Sequence, residues 1–165
     1  MIRVLFVCLG NICRSPMAEA VFRHYVQEAG LSDRIVVDSA GTGDWHVGEP
    51  PHRGTRRILD SNNISYENIR ARQVAGSDFA DSHYIIAMDE QNLRDLRRIA
   101  EQAARAGGSS RAPHIGKLLD FASKSASGDV PDPYYTGNFE EVFAMVQDGC
   151  RGLLNHIIEK EGLTG

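Results

Sequence analysis

Cysteine is scarce in this chain: only Cys8, Cys13 and Cys150 occur. An odd count argues against a disulfide framework and fits a reducing compartment, so a cytoplasmic location is expected. None of the three shares zinc-site spacing with histidine, so no metal and no other cofactor is expected. No stretch is long enough to span a membrane. The apolar run Val4 to Leu9 is too short for a secretion signal, and Gly10-Asn11 follows instead of a small-residue cleavage pattern. A basic excess is missing too: the formal net charge is -4, which argues against nucleic acid or anionic membrane as main partners. Aromatics make up 7%, with Trp45 the single tryptophan. There is no internal repeat. What remains is 165 residues, 42% hydrophobic and 24% charged, the composition of one soluble globular domain over residues 1–165.

The most informative stretch is Cys8-Leu9-Gly10-Asn11-Ile12-Cys13-Arg14-Ser15-Pro16. Apolar residues 2–7 before it suit a strand buried on both faces of a parallel sheet. After it, Met17, Ala18, Val21, Phe22 and Tyr25 recur at helical spacing, with Ser15 as the expected cap, Pro16 as the first helical residue and Gly30 as the stop. A strand thus runs through a short loop into a helix N-terminus, which concentrates N–H groups and suits an anion.

The rest of the chain repeats the alternation. Ile35-Val36-Val37 reads as a strand, and Asp38 to Trp45 as a polar loop with Ser39 and Gly41. A helix is expected over 52–61, with Thr55, Ile58 and Leu59 inward, and a loop over Ile69 to Val74. Phe79 falls in a short turn or helix. Tyr84 to Met88 reads as the third strand, and Asp89 as the cap of a helix over 90–106. Gly107 to Ser110 and Ser123 to Gly128 read as flexible breaks. His114-Ile115 is a short fourth strand, Leu118 to Phe121 a helical turn, and 139–160 a long helix with Val142, Val146, Cys150, Leu153 and Ile157 on one face. The pattern predicts a doubly wound α/β fold: a four-stranded parallel sheet flanked by helices on both faces.

Each residue of the first loop has a chemical use. Gly10 and Asn11 tolerate positive φ, which lets successive N–H groups turn toward an anion. Arg14 offers a planar fork matched to two phosphoryl oxygens. Ser15 can donate to the Cys8 sulfur, whose thiolate would meet partial and full positive charge there. A thiolate inside such a cradle is placed to attack phosphorus. Cys13 is either packing or a partner that traps an oxidised Cys8 as a disulfide, while Cys150 sits on an apolar helix face and reads as core. An acid is needed for the leaving oxygen and a base for water afterwards. Asp132, between Pro131 and Pro133, is the first candidate. Asp89 reads as a cap, Asp44 as a turn residue, and Asp129 stays open. Trp45 and Tyr134, with Tyr135, are loop aromatics suited to gripping a flat ring. His46 and His52 read as surface residues.

These segments resemble the low-molecular-weight protein tyrosine phosphatases. Cys8 to Glu19, Asp38-Ser39-Ala40-Gly41, Ala71-Arg72-Gln73, Ala87-Met88-Asp89 and Asp132-Pro133-Tyr134-Tyr135 match the family in order. The resemblance implies a phosphocysteine intermediate, with Cys8 as nucleophile and the backbone and side chains from Leu9 to Ser15, Ile12 and Cys13 included, around the phosphate. It further implies Asn11, Ser15 and Ser39 as loop supports, Asp132 as acid then base, and Trp45 and Tyr134 beside the substrate ring. Tyr134 and Tyr135 would be candidate phosphorylation sites. The expected partners are phosphotyrosine proteins, and the expected state is a monomer or weak dimer. Two departures stand out: Ile69 replaces a histidine that many members use in loop support, and the stretch from Gly107 to Arg111 is longer. Arsenate reductases of this fold use a later cysteine pair, of which only Cys150 remains. Arginine phosphatases of the family tend to carry threonine where Ile12 stands, so an aromatic substrate is expected. A non-catalytic phosphoprotein-binding module is the rival from another class.

Overall fold

The computed structural model describes residues 1–106, 113–123 and 128–163. Four strands form one all-parallel sheet in the order β2-β1-β3-β4, with β1 over Ile2–Cys8, β2 over Ile35–Gly41, β3 over Tyr84–Ala87 and β4 over His114–Lys117. The helices are α1 (Arg14–Glu28), α2 (Arg53–Ser61), α3 (Gly76–Asp81), α4 (Glu90–Arg105), α5 (Pro133–Thr136) and α6 (Phe139–Glu161), with a 3-10 turn at Leu118–Phe121.

The β1 strand is buried on both faces because its side chains alternate between two cores. Val4, Phe6 and Cys8 join a core with Met17, Val21 and Phe22 of α1 and Val146, Leu153 and Ile157 of α6. Leu5 and Val7 join the other, with Phe79 of α3 and Leu93 and Leu96 of α4. Helices therefore cover both faces, and the sequence-based architecture holds. After β2 the chain crosses β1 to reach β3 on its other side. That reversal opens a crevice beyond the C-terminal end of β1, the position where open α/β sheets bind ligands.

Several boundaries differ from the sequence expectation. The β2 strand continues through Asp38, Ser39 and Ala40, which pair with Leu5, Phe6 and Val7. Their polar and small side chains read as loop, yet a parallel partner satisfies their backbone, and Ser39 and Ala40 are buried. The α1 helix starts at Arg14 with Cys13 as its cap, so Ser15 is not the cap and Pro16 is not the first residue. Pro16 is tolerated in the third position because the first four helical N–H groups lack intrahelical partners. His52 is the cap of α2, its Nδ1 accepting from the Gly54 N–H at 3.0 Å. The expectations for Gly107 to Ser110 and for Lys124 to Ser127 lie outside the described residues. No helix among the described residues is long and apolar enough to cross a membrane.

Candidate active site

The loop after β1 encloses the Cys8 sulfur from behind. Asn11 takes φ 57°, the left-handed conformation expected of it, whereas Gly10 does not. Gly10 instead makes room: a Cβ there would lie 3.2 Å from the His46 ring. The Asn11 N–H donates to Cys8 Sγ at 3.3 Å, and Ser15 Oγ lies 2.9 Å from the same sulfur. Asn11 Nδ2 donates to Ser15 Oγ at 2.8 Å and to Ser39 Oγ at 3.0 Å, while its Oδ1 accepts the Arg72 N–H at 3.0 Å. Cys8, Asn11, Ser15 and Ser39 are all buried.

The segment carrying Arg72 is itself pinned. The Arg72 guanidinium bonds Asp78 and Asp38, and these carboxylates, Asp78 foremost, raise its pKa against the opposing effect of burial. Ile69 is buried in the main core and contributes no hydrogen bond from its side chain. Loop support comes from the Arg72 backbone N–H on Asn11 Oδ1 and from Glu19, whose Oε1 accepts the Ser39 hydroxyl at 2.6 Å.

Arg14 is 3% exposed. Its Nη1 donates to Asp89 Oδ2 at 2.6 Å and to the Val130 carbonyl at 2.9 Å, and its Nη2 lies 3.6 Å from Asp132 Oδ2. Burial opposes the charge, yet Cys8, Asp89 and Asp132 outweigh it and raise the guanidinium pKa. Asp89 does cap α4, its Oδ1 accepting from the Asn92 N–H at 2.8 Å. Its other oxygen holds Arg14, a role that the cap position did not suggest.

A cavity of about 410 Å³ opens over the loop. Cys8, Leu9, Gly10, Ile12, Cys13 and Arg14 form its floor, and Trp45, His46, Asp132, Tyr134 and Tyr135 its sides. Asn11 and Ser15 stand behind the floor rather than on it. Trp45, Tyr134 and Tyr135 are exposed and form an apolar rim around a floor that holds the thiol and the guanidinium. Asp132 caps α5 through the Tyr134 N–H at 3.1 Å, which leaves Oδ2 on the Arg14 side. Asp129 is elsewhere: its Oδ1 accepts from the Glu90 N–H and lies 3.3 Å from Lys117 Nζ. Cys13 is buried, and burial, with Asp132 and Cys8 as anionic neighbours, pushes its thiol up to about 12. Cys8, Cys13 and Cys150 are free thiols. Cys150 is fully buried on α6, as expected of a core residue.

Two residues escaped the sequence reading. His46 is a wall of the cavity, held by Glu49 at 2.8 Å and facing Tyr134 with ring centroids 6.4 Å apart. No spacing signal marked it. Glu19 closes the first matched segment with no role assigned to it, yet it is a carboxylate only 4% exposed.

The model of the low molecular weight phosphotyrosine protein phosphatase family matches residues 3–163. A low molecular weight protein-tyrosine-phosphatase of Bacillus subtilis, YfkJ, is 52% identical over 163 residues, covering 99% of this chain and 100% of that protein. The crystal structure of the B. subtilis protein superposes with a TM-score of 0.89, covering 97% of this chain and 96% of that one at 51% identity. A Drosophila arginine phosphatase structure is 34% identical, with a TM-score of 0.82, covering 93% of this chain and 96% of that one. With a thiol, a buried guanidinium and a carboxylate on one cavity, and likeness along nearly its whole length, the chain belongs to the low molecular weight phosphotyrosine protein phosphatase family.

Proposed function

We propose that this chain hydrolyses the phosphate ester of phosphotyrosine in proteins through a phosphocysteine intermediate. The observation that carries it is the convergence of Cys8, Arg14 and Asp132 on one apolar-rimmed cavity. The Cys8 thiolate attacks phosphorus while the bond to the phenolic oxygen breaks. The Asp132 carboxyl delivers its proton to that oxygen, and tyrosine leaves. Asp132 then takes a proton from water as the water attacks the phosphocysteine, releasing inorganic phosphate and the thiolate. Arg14 and the N–H groups of the loop hold the equatorial oxygens, where charge is spread in the transition state.

Tyrosine is favoured over serine because the Cys8 sulfur is buried at the cavity floor, behind the rim of Trp45, Tyr134 and Tyr135, where a long side chain reaches more readily. Ile12, 8% exposed on that floor, offers an apolar contact to a ring and no acceptor to a guanidinium. The likeness to an arginine phosphatase makes phosphoarginine the necessary comparison. Arsenate reduction through a later cysteine pair is disfavoured, since Cys150 alone follows the loop and is fully buried. A binding module needs neither a thiol nor an acid on its phosphate site, so the presence of both favours catalysis.

The test is turnover of matched phosphotyrosine, phosphoserine and phosphoarginine peptides by wild type and Cys8→Ser. Turnover of the phosphotyrosine peptide alone, abolished in Cys8→Ser, supports the proposal. Equal turnover of all three peptides, or an active Cys8→Ser, overturns it.

A further inference from the structure

Glu19 is the only buried carboxylate among the described residues, and the proposed reaction makes no direct use of it. Its neighbours explain its presence. The Arg72 N–H donates to Asn11 Oδ1, which fixes the orientation of the Asn11 amide. The two hydrogens on Nδ2 are then spent on Ser15 Oγ and Ser39 Oγ. A hydroxyl has a single proton, and one that accepts from Asn11 must turn that proton elsewhere. For Ser15 the remaining partner is Cys8 Sγ at 2.9 Å. For Ser39 it is Glu19 Oε1 at 2.6 Å. Donation therefore runs outward from Asn11 along two arms, one ending on the sulfur and the other on the carboxylate.

An ionised carboxylate only accepts, so it forces the Ser39 proton away from Asn11. A protonated one can donate, and Ser39 would then face two donors, with its own proton displaced. The charged groups around Glu19 are few. Arg23, one turn along α1, pairs with its other oxygen, and Asp38 on β2 repels it. Asp38 is itself held by Arg72 from the opposite loop, where Ile69 brings an apolar side chain instead of a cation.

We infer that Glu19 is a positioning residue: its carboxylate, acting through Ser39 and Asn11, sets the hydrogen-bond order that aims the Ser15 proton at Cys8 Sγ, so turnover depends on Glu19 being ionised. The inference rests on Cys8 being the nucleophile. Acid conditions that protonate Glu19 reverse the Ser39 bond and loosen Asn11 in its left-handed conformation. The Ser15 proton then loses its fixed direction, and the sulfur loses a donor.

The experiment is a double-variant cycle of Glu19→Gln and Ser39→Ala, read in kcat and KM for an aryl phosphate across pH and in the rate of Cys8 alkylation by iodoacetamide. Glu19→Gln should lower kcat by about tenfold, the size of one hydrogen bond to a charged group, with KM changed less than about twofold. It should also remove one acid limb from the kcat profile and slow Cys8 alkylation. The double variant should be no worse than Ser39→Ala alone. Independent, multiplying losses with unchanged pH and alkylation profiles would show that Glu19 merely fills space, and would overturn the inference. If Glu19→Gln does not fold, Ser39→Ala decides alone: the same acid limb must vanish, and its persistence overturns the inference. Cys8→Ser is run in parallel. An active Cys8→Ser sinks the phosphatase reading itself, whereas an inactive one beside an unaffected Glu19→Gln sinks only the role of Glu19.

Discussion

Replacing Asp89 separates two functions that one side chain performs. Its Oδ1 caps α4, and its Oδ2 holds the Arg14 guanidinium at 2.6 Å. Asp89→Asn keeps an oxygen for the cap, since asparagine caps as well as aspartate. With that oxygen on the cap, the amide turns an N–H toward Arg14, so the bond to the guanidinium, about 2 kcal/mol between charged groups, is lost. Asp89→Ala loses that bond entirely and the cap as well, adding about 1 kcal/mol for the cap and bringing the total to about 3 kcal/mol. The side chain of Asp89 is 24% exposed, so water re-solvates part of the gap. The cost therefore stays at the low end of the ~3–5 kcal/mol for breaking a fully buried pair. At this chain length each kcal/mol lowers Tm by about 2–4 °C, so the expected drops are about 4–8 °C for Asn and about 6–12 °C for Ala. Urea titration at constant m gives the same ranking in free energy. Saturating inorganic phosphate should narrow the Asn gap, because the bound dianion supplies Arg14 with the missing negative partner. If Asp89→Asn melts with wild type while Asp89→Ala does not, the cap accounts for everything and the ion pair contributes nothing.

Four further outcomes are expected. Trp45→Ala should raise KM for an aryl phosphate by about 2–10-fold, the worth of one aromatic contact, and leave a small alkyl phosphate unaffected; an unchanged aryl KM rules out contact with the ring. Gly152→Ala should destabilise by about 1–3 kcal/mol, because its Cβ would sit 1.7 Å from the Phe121 carbonyl oxygen where α6 crosses the 3-10 turn; a loss below about 0.5 kcal/mol in urea titration contradicts that packing. Burial pushes the Glu19 carboxyl from 4.5 up to about 7. The folded state thus binds the proton more tightly than the unfolded one, and stability falls by about 3 kcal/mol as pH rises across that window. Glu19→Gln should flatten this part of the curve, and identical curves for the two proteins would refute the buried charge. After peroxide treatment, Cys13→Ser should recover less activity on thiol addition than wild type if a Cys8–Cys13 disulfide protects the nucleophile; equal recovery removes that role.

The element order was legible because it is written in local patterns. Apolar runs at 4–7 and 84–87, helical spacing through α1, α4 and α6, and punctuation by Gly30 and Asp89 all act over a few residues, whereas the short α5 gave no such pattern. The loop from Cys8 to Ser15 was legible for the same reason. The second half of β2 was not, since Asp38 and Ser39 are strand only by virtue of β1 beside them. Glu19 carries no role in the sequence reading, because Ser39 and Arg23 reach it only in the fold. His46 gave no local signal, because its place follows from the turn of its loop over Gly10.

By itself the sequence determined the alternation of strands and helices, the thiol-bearing loop at a helix N-terminus, and the short list of carboxylates able to serve it. Those properties depend on neighbours within one or two turns of chain. Only the tertiary structure shows where Asp44, Asp89, Asp129 and Asp132, between 36 and 124 residues from Cys8 along the chain, stand relative to the cavity. Sheet order brings the ends of β1 and β3 together, and the Val130 backbone, bonded to Met88 and Arg14, then sets Asp132 on the cavity and leaves Asp129 outside it. Distance along the chain carries no information about that outcome, because the crossover connections, not the spacing, bring the groups together.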